Sequence, residues 1–245
     1  MINVQFDASS IDRAFGEMAK QIPVAASMAL NSTARVVEKE LKRTMYSIFD
    51  RPTPFVMDSL RTILSSEQNL QAKVWFKNPP NMGDKEHYLA PQVYGGSRPF
   101  KRFEQMLQNV HVSRSLPRGW FAVPGPAARM DGYGNMSRGQ VIQLLSAMRA
   151  FSEVGYTMNR RDKGMGGRAR NNLQYVVIRP GQKSKLKPGI WLRGPNNSLS
   201  QVLAFVPSVS YRKRLAFFEI AQSVMEREMP GYFERAMQKV IANFR

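Results

Sequence analysis

Apolar residues recur every third or fourth position through the first fifty residues, the period of a helix with one face turned inward. Asp7-Ala8-Ser9-Ser10 offers N-cap side chains, and Ile11, Phe15, Met18 and Ile22 follow at that spacing. Pro23 suits the first turn of a helix, where a missing N–H costs nothing, so the pattern predicts a second helix starting there. Ala26, Leu30, Thr33, Val37, Leu41, Met45 and Ile48 then form one stripe, and the small residues of Ala25–Ala34 would let another backbone approach closely. This long helix should end before Arg51-Pro52.

Beyond it the period shortens. Thr53-Pro54 starts a short helical turn, and the alternating runs Leu60–Ser66 and Leu70–Asn78 read as a β-hairpin. Further strands are predicted over His87–Tyr94, Trp120–Val123, Leu173–Arg179, Gly189–Arg193 and Leu199–Phe205. Helical spacing returns at Phe103, Met106, Leu107 and Val110 within Phe100–Val112. It returns again after Ser137-Arg138-Gly139-Gln140, which has the form of a capping box. The helix after that box carries Val141, Leu144, Leu145, Met148 and Phe151. A final helix spans about Lys213–Phe244, with Leu215, Phe218, Ala221, Met225, Met229, Phe233, Ala236, Val240 and Phe244 on one side. Pro230 should kink or break it, because proline cannot donate to residue 226. The fold class is therefore α+β, a central antiparallel sheet flanked by long N-terminal and C-terminal helices. A Gly/Arg-rich helical insertion over residues 127–172 is expected within a single domain of residues 1–245.

Composition changes this picture at one point. The 245 residues are 43% hydrophobic, enough for a folded core, yet Lys and Arg number 36 against 18 acidic residues, a net charge of +18. Such a field draws polyanions by Coulomb steering and counterion release. Residues 160–193 hold ten basic side chains and one acid, Asp162, so half of the net charge falls in that stretch. The candidate DNA-facing residues are Arg160, Arg161, Lys163, Arg168 and Arg170 in a Gly-rich loop over Asn159–Asn172, and Lys183, Lys185 and Lys187 in a loop between strands. Two solvated loops are the plainer alternative. Tyr175, Trp191 and Tyr211 lie near this charge, and core packing explains them more simply than base stacking.

Catalytic chemistry finds little support. Cysteine is absent, and His87 and His111 have no ligand-like spacing, so neither metal nor cofactor is expected. Asp131-Gly132-Tyr133-Gly134-Asn135 lacks the alternating oxygen ligands of a calcium loop and reads as a glycine turn. Gly164-Met165-Gly166-Gly167 lacks the Gly-Lys-Ser/Thr ending of a phosphate loop, and Glu38-Lys39-Glu40 and Glu226-Arg227-Glu228 read as solvated helix faces. No apolar run is long enough for a membrane helix, and the first residues lack a secretory pattern, so no membrane partner is expected.

Two stretches carry a resemblance. Gln21-Ile22-Pro23-Val24-Ala25-Ala26-Ser27-Met28-Ala29-Leu30-Asn31 is similar to the opening helix of the Z family of minor tail (tail-completion) proteins of lambda-like phages. Glu226-Arg227-Glu228-Met229-Pro230, followed by an amphipathic helix, resembles that family's closing helix. Tyr88–Phe103, with Gly-Gly-Ser-Arg-Pro-Phe, is similar to a broader group of neck and tail-completion proteins. The resemblance implies a non-enzymatic virion protein of the neck or head-proximal tail, assembled in the host cytoplasm. It implies a homo-oligomeric ring, a hexamer favoured, meeting the connector or adaptor, the tail terminator and the tail tube, with genomic double-stranded DNA nearby. The charge alone leaves a second expectation, a stand-alone nucleic-acid-binding protein that ignores sequence.

Overall fold

The computed structural model describes residues 9–78, 87–109, 115–148 and 174–242. In chain order the elements are α1 (Ser9–Ile48), α2 (Pro54–Met57), β1 (Leu60–Ile63), β2 (Lys73–Phe76), α3 (Ala90–Tyr94), β3 (Gly96–Ser97) and α4 (Arg102–Gln108). There follow β4 (Phe121–Pro124), α5 (Arg138–Ala147), β5 (Gln174–Ile178), β6 (Gly189–Arg193), β7 (Leu199–Val206), β8 (Ser210–Tyr211) and α6 (Phe217–Ala242). The protein is α+β, with long N-terminal and C-terminal helices and small antiparallel sheets. Its chain divides into two units, residues 1–87 with 214–245, and residues 88–213. The terminal helices belong to the first unit and the four-stranded sheet to the second.

Pro23, read as the start of a helix, and Pro230, read as a kink or break, both lie inside helices: α1 runs through Pro23 and α6 through Pro230 without a break. A proline inside a helix costs about 3 kcal/mol, partly because the carbonyl four residues back loses its donor. Those carbonyls belong to Ala19 and Glu226, both exposed residues where water can serve instead. Packing supplies the rest. Ala25, Ala29, Val37, Leu41 and Met45 are buried along α1, and Ala25 packs with Ala236 and Val240 of α6. At the far end Arg214 donates to the carbonyl of Ile48, so the two helices run antiparallel. The buried line starts one residue earlier than the periodicity suggests, on Ala25 and Ala29 in place of Ala26 and Leu30.

The hairpin β1–β2 forms in the expected place, with Leu60 opposite Phe76 and Arg61 opposite Trp75. Thr53 caps α2 with its side chain, as Thr53-Pro54 suggests. Polar rungs fix the hairpin to α1. Asn31 Oδ1 accepts from Ser65 N at 2.7 Å, and its Nδ2 donates to Ser65 O at 3.1 Å. Thr62 donates to Glu38 Oε2 at 2.6 Å, while Lys42 holds the other Glu38 oxygen at 2.6 Å. Burial alone would push the Glu38 carboxyl up, but these partners, with the charges of Lys42 and Arg61, keep it below its usual value.

In the second unit the sheet order is β4-β7-β6-β5, antiparallel throughout. One side meets α4 and α5 in a core of Leu107, Leu116, Ala122, Leu144, Leu145, Ile190, Leu203 and Phe205. Helix α5, within the segment read as an insertion, thus contributes two side chains to the main core of its unit. Ser137 caps α5 by accepting from Gln140 N, but Gln140 does not close the box. Its buried amide instead accepts from Arg129 N at 2.6 Å and donates to Ala127 O at 3.4 Å. A register shift follows Ile190, and a Cβ at Gly189 would fall 2.1 Å from Leu203 O, so only glycine fits beside the bulged strand.

The strand expected over His87–Tyr94 is corrected to helix at Ala90–Tyr94. Pro91 sits in its first turn, Gly95 ends it, and Leu89, Ala90 and Val93 are buried at helical spacing. The Gly-Gly-Ser-Arg-Pro-Phe segment follows, and there β3 pairs with β8, joining the entry and exit of this unit.

Arg98 of that segment grips Glu104, the most deeply buried acid described, by two bonds of 2.7 Å. Glu104 also accepts from Lys101 N at 2.7 Å and Ala122 N at 2.9 Å, linking α4 to β4. Burial would raise this carboxyl, but Arg98 and the two backbone N–H groups together hold it below its usual value. Arg98 also lies 5.1 Å over the Phe121 ring. Replacing Glu104 by Gln should cost about 3–5 kcal/mol in urea unfolding, because the guanidinium stays buried without its counter-charge. A depressed carboxyl stabilises fully above its unfolded pKa and loses that contribution as pH falls through the folded value. Wild-type stability should therefore drop in acid over that window, and the Glu104→Gln curve should be flatter there.

Candidate functional site

Three of the eight candidate DNA-facing residues, Lys183, Lys185 and Lys187, lie among the described residues, all exposed. The other five, Arg160, Arg161, Lys163, Arg168 and Arg170, lie outside them, as do the Asn159–Asn172 loop and His111. The three lysines stand on the β5–β6 connection, which is built by local hydrogen bonds. Arg179 O accepts from Gln182 N at 3.2 Å across a turn with Pro180 second and Gly181 third. Gly181 takes φ +79°, the left-handed value that such a turn asks of its third residue. Ser184 Oγ accepts from Leu186 N at 3.0 Å, and Trp191 Nε1 donates to Lys187 O at 3.0 Å. Trp191 thus helps hold the loop through its indole N–H, and Tyr175 packs against the core. Among the described residues none of the three lysines forms an ion pair.

The two units differ sharply in charge. Residues 88–213 carry 20 basic and 4 acidic side chains, a net +16 of the chain's +18. The remaining residues carry 16 basic and 14 acidic side chains, a net +2. The sequence shows the charge but not the boundary, because the second unit is defined by where the chain leaves and rejoins the first.

On α6 the stripe read as one side of the helix is buried only in part. Val224, Ala236 and Val240 are buried, whereas Phe218, Met225 and Phe233 are 54%, 49% and 36% exposed. Their spacing of seven and eight residues sets these three on one side of the helix. Ala236 and Val240 share that side by the same spacing, so its burial changes along the helix: the C-terminal turns pack on Ala25 of α1, while Phe218, Met225 and Phe233 are exposed. Phe244 lies beyond the described residues.

The hairpin has a second exposed face. Arg61, Ile63, Lys73, Trp75 and Lys77 alternate outward, while Leu60, Thr62, Val74 and Phe76 are turned in, the last 5.3 Å from Phe217. The sequence signal that could have found it is the alternation Lys73-Val74-Trp75-Phe76-Lys77.

Catalytic groupings are sparse. His87 stacks on Phe76 with ring centroids 5.2 Å apart, and burial pushes its imidazole down despite a backbone bond with Lys77. Asp131 Oδ1 accepts from Tyr133 N and Asn135 N, each at 2.9 Å, which commits that oxygen to the turn. Among the described residues no three His, Asp or Glu side chains gather as a metal site, and no helix is long and apolar enough to cross a membrane. Comparison with protein-family models, with curated proteins and with solved structures finds no match.

The lysine loop is open to direct test. Neutralising it as Lys183→Gln, Lys185→Gln and Lys187→Gln should leave stability within about 0.5 kcal/mol, since all three side chains are exposed. If each meets a phosphate, the slope of log K against log salt for duplex DNA should fall by about 2.7, near 0.9 per contact. An unchanged slope would remove this loop from the DNA-facing set.

Proposed function

We propose that the chain is a structural, non-enzymatic subunit of a phage neck or head-proximal tail, completing the tail and helping join it to the head connector. In this reading the nearly neutral unit makes the contacts that build a homo-oligomeric ring, a hexamer favoured. The basic unit faces genomic DNA or an acidic neighbour among the connector, terminator and tube proteins. The partition of charge, +16 against +2, carries the reading, because it separates a polyanion-facing body from one able to pack closely against copies of itself. The exposed Phe218, Met225 and Phe233 add an apolar line of the kind subunit contacts bury. A closed ring would seat that line on a different patch of the next subunit. The particle, assembled in the host cytoplasm, would be the protein's final location.

The same charge supports a second reading, a stand-alone nucleic-acid-binding protein indifferent to sequence. Sedimentation separates the two. Under the assembly reading the chain forms concentration-dependent oligomers, and Met225→Glu with Phe233→Glu returns it to a 27.9 kDa monomer without unfolding it. A chain that stays monomeric at every concentration, yet binds duplex DNA at micromolar or tighter affinity, favours the second. Deleting the gene in its phage should leave DNA-filled heads and free tails; joined, infectious particles would refute the assembly role.

A further inference from the structure

We propose that the outer face of the β1–β2 hairpin is a binding site for single-stranded nucleic acid, with an unpaired base stacked on Trp75 and phosphates held by Arg61, Lys73 and Lys77. This goes beyond the assembly reading and does not rest on it. The site lies on the unit whose charges nearly cancel, so a local cluster of cations there is not a by-product of the general excess. Trp75 is 42% exposed, and its cross-strand partner is Arg61. Lys73 and Lys77 flank it along β2, two residues away on either side and on the same face. At about 3.3 Å per residue the two lysines stand about 13 Å apart, with the indole midway.

Backbone bonding holds this arrangement in place. The register runs from Leu60–Phe76 to Ile63–Lys73, and Lys77 N donates to Ser59 O at 2.7 Å, carrying the ladder one step past the strand. Buried Leu60, together with the bonds from Thr62 to Glu38 and from Ser65 to Asn31, fixes the opposite face on α1. Acid is scarce on the outer face: the segment's one carboxylate, Glu67, is in the connecting loop. Glu38, which feels the charge of Arg61, is already bound by Lys42 and Thr62.

An exposed indole ringed by cations suits a chain of bases and phosphates better than an acidic peptide, which offers charge but no flat ring. It suits a single strand better than a duplex, whose paired bases hide their faces.

Tryptophan fluorescence of the full-length protein tests this. The chain has three tryptophans, so the signal of Trp75 is the difference between wild type and Trp75→Phe. Titration with a twenty-nucleotide oligo-dT should quench that difference signal. A duplex of equal length and polyglutamate should leave it unchanged. Lys73→Gln with Lys77→Gln should flatten the salt slope of the quench by about 1.4, near 0.7 for each single-strand phosphate contact. Trp75→Ala should weaken binding of the oligomer by about 5- to 150-fold at salt concentrations that suppress binding elsewhere. Should Trp75→Ala fail to fold, the lysine pair and the Trp75→Phe difference still decide. Absence of quenching by oligo-dT overturns the proposal. Equal quenching by the duplex overturns the single-strand assignment, and equal quenching by polyglutamate makes the site one for an acidic protein segment. None of these outcomes touches the oligomerisation test, so the two readings fail separately.

Discussion

The close pairing of α1 with α6 is the contact on which the first unit depends. Ala25 and Ala29 have no exposed surface, and Ala25 meets Ala236 and Val240 across the seam, so the two backbones can lie near each other. Helices separated by most of the chain's length are thereby joined antiparallel, and the hairpin has a surface on which to lie. In the second unit β3 and β8 pair near its two ends, so that unit is closed by its own strands. Each unit is thus self-contained, and the charge of the chain divides along the same border.

Much of this architecture could be read from local pattern. The hairpin, the Thr53 cap, β6 and the start of α5 follow from alternation and capping chemistry, which act over a few residues. Pro23 did not start a new helix and Pro230 did not end one, because their cost is local while the compensation is tertiary: a seam holds the helices together, and the residues four back, Ala19 and Glu226, are exposed. Residues 87–94 misled because apolar residues beside a proline and a glycine fit a strand or a short helix equally well. On α6 the apolar period was correct, but period alone does not say how much of one side along the helix is covered by a neighbour. Ala236 and Val240 are buried beside Ala25, whereas Phe218, Met225 and Phe233 on the same side are exposed.

The candidate site was legible in proportion to how local its logic is. The lysines at 183, 185 and 187 stood out by charge, and the turn chemistry at Pro180 and Gly181 explains how they are presented. Trp75 escaped notice because its neighbours on β2 look like ordinary strand residues until Arg61 is placed opposite it. The Gly-Gly-Ser-Arg-Pro-Phe segment, noticed for its resemblance, proves to hold the Arg98 that neutralises buried Glu104. Its part in the fold is an electrostatic clamp between α4 and β4.

The assembly reading we propose rests on a basic unit joined to a nearly neutral one that bears exposed Phe218, Met225 and Phe233. Quantitative mass spectrometry of gradient-purified virions tests that claim most directly. The proposal predicts that the chain stays with the particles at a fixed, low copy number after repeated banding. Its presence in the lysate but not in the purified particles would contradict the account.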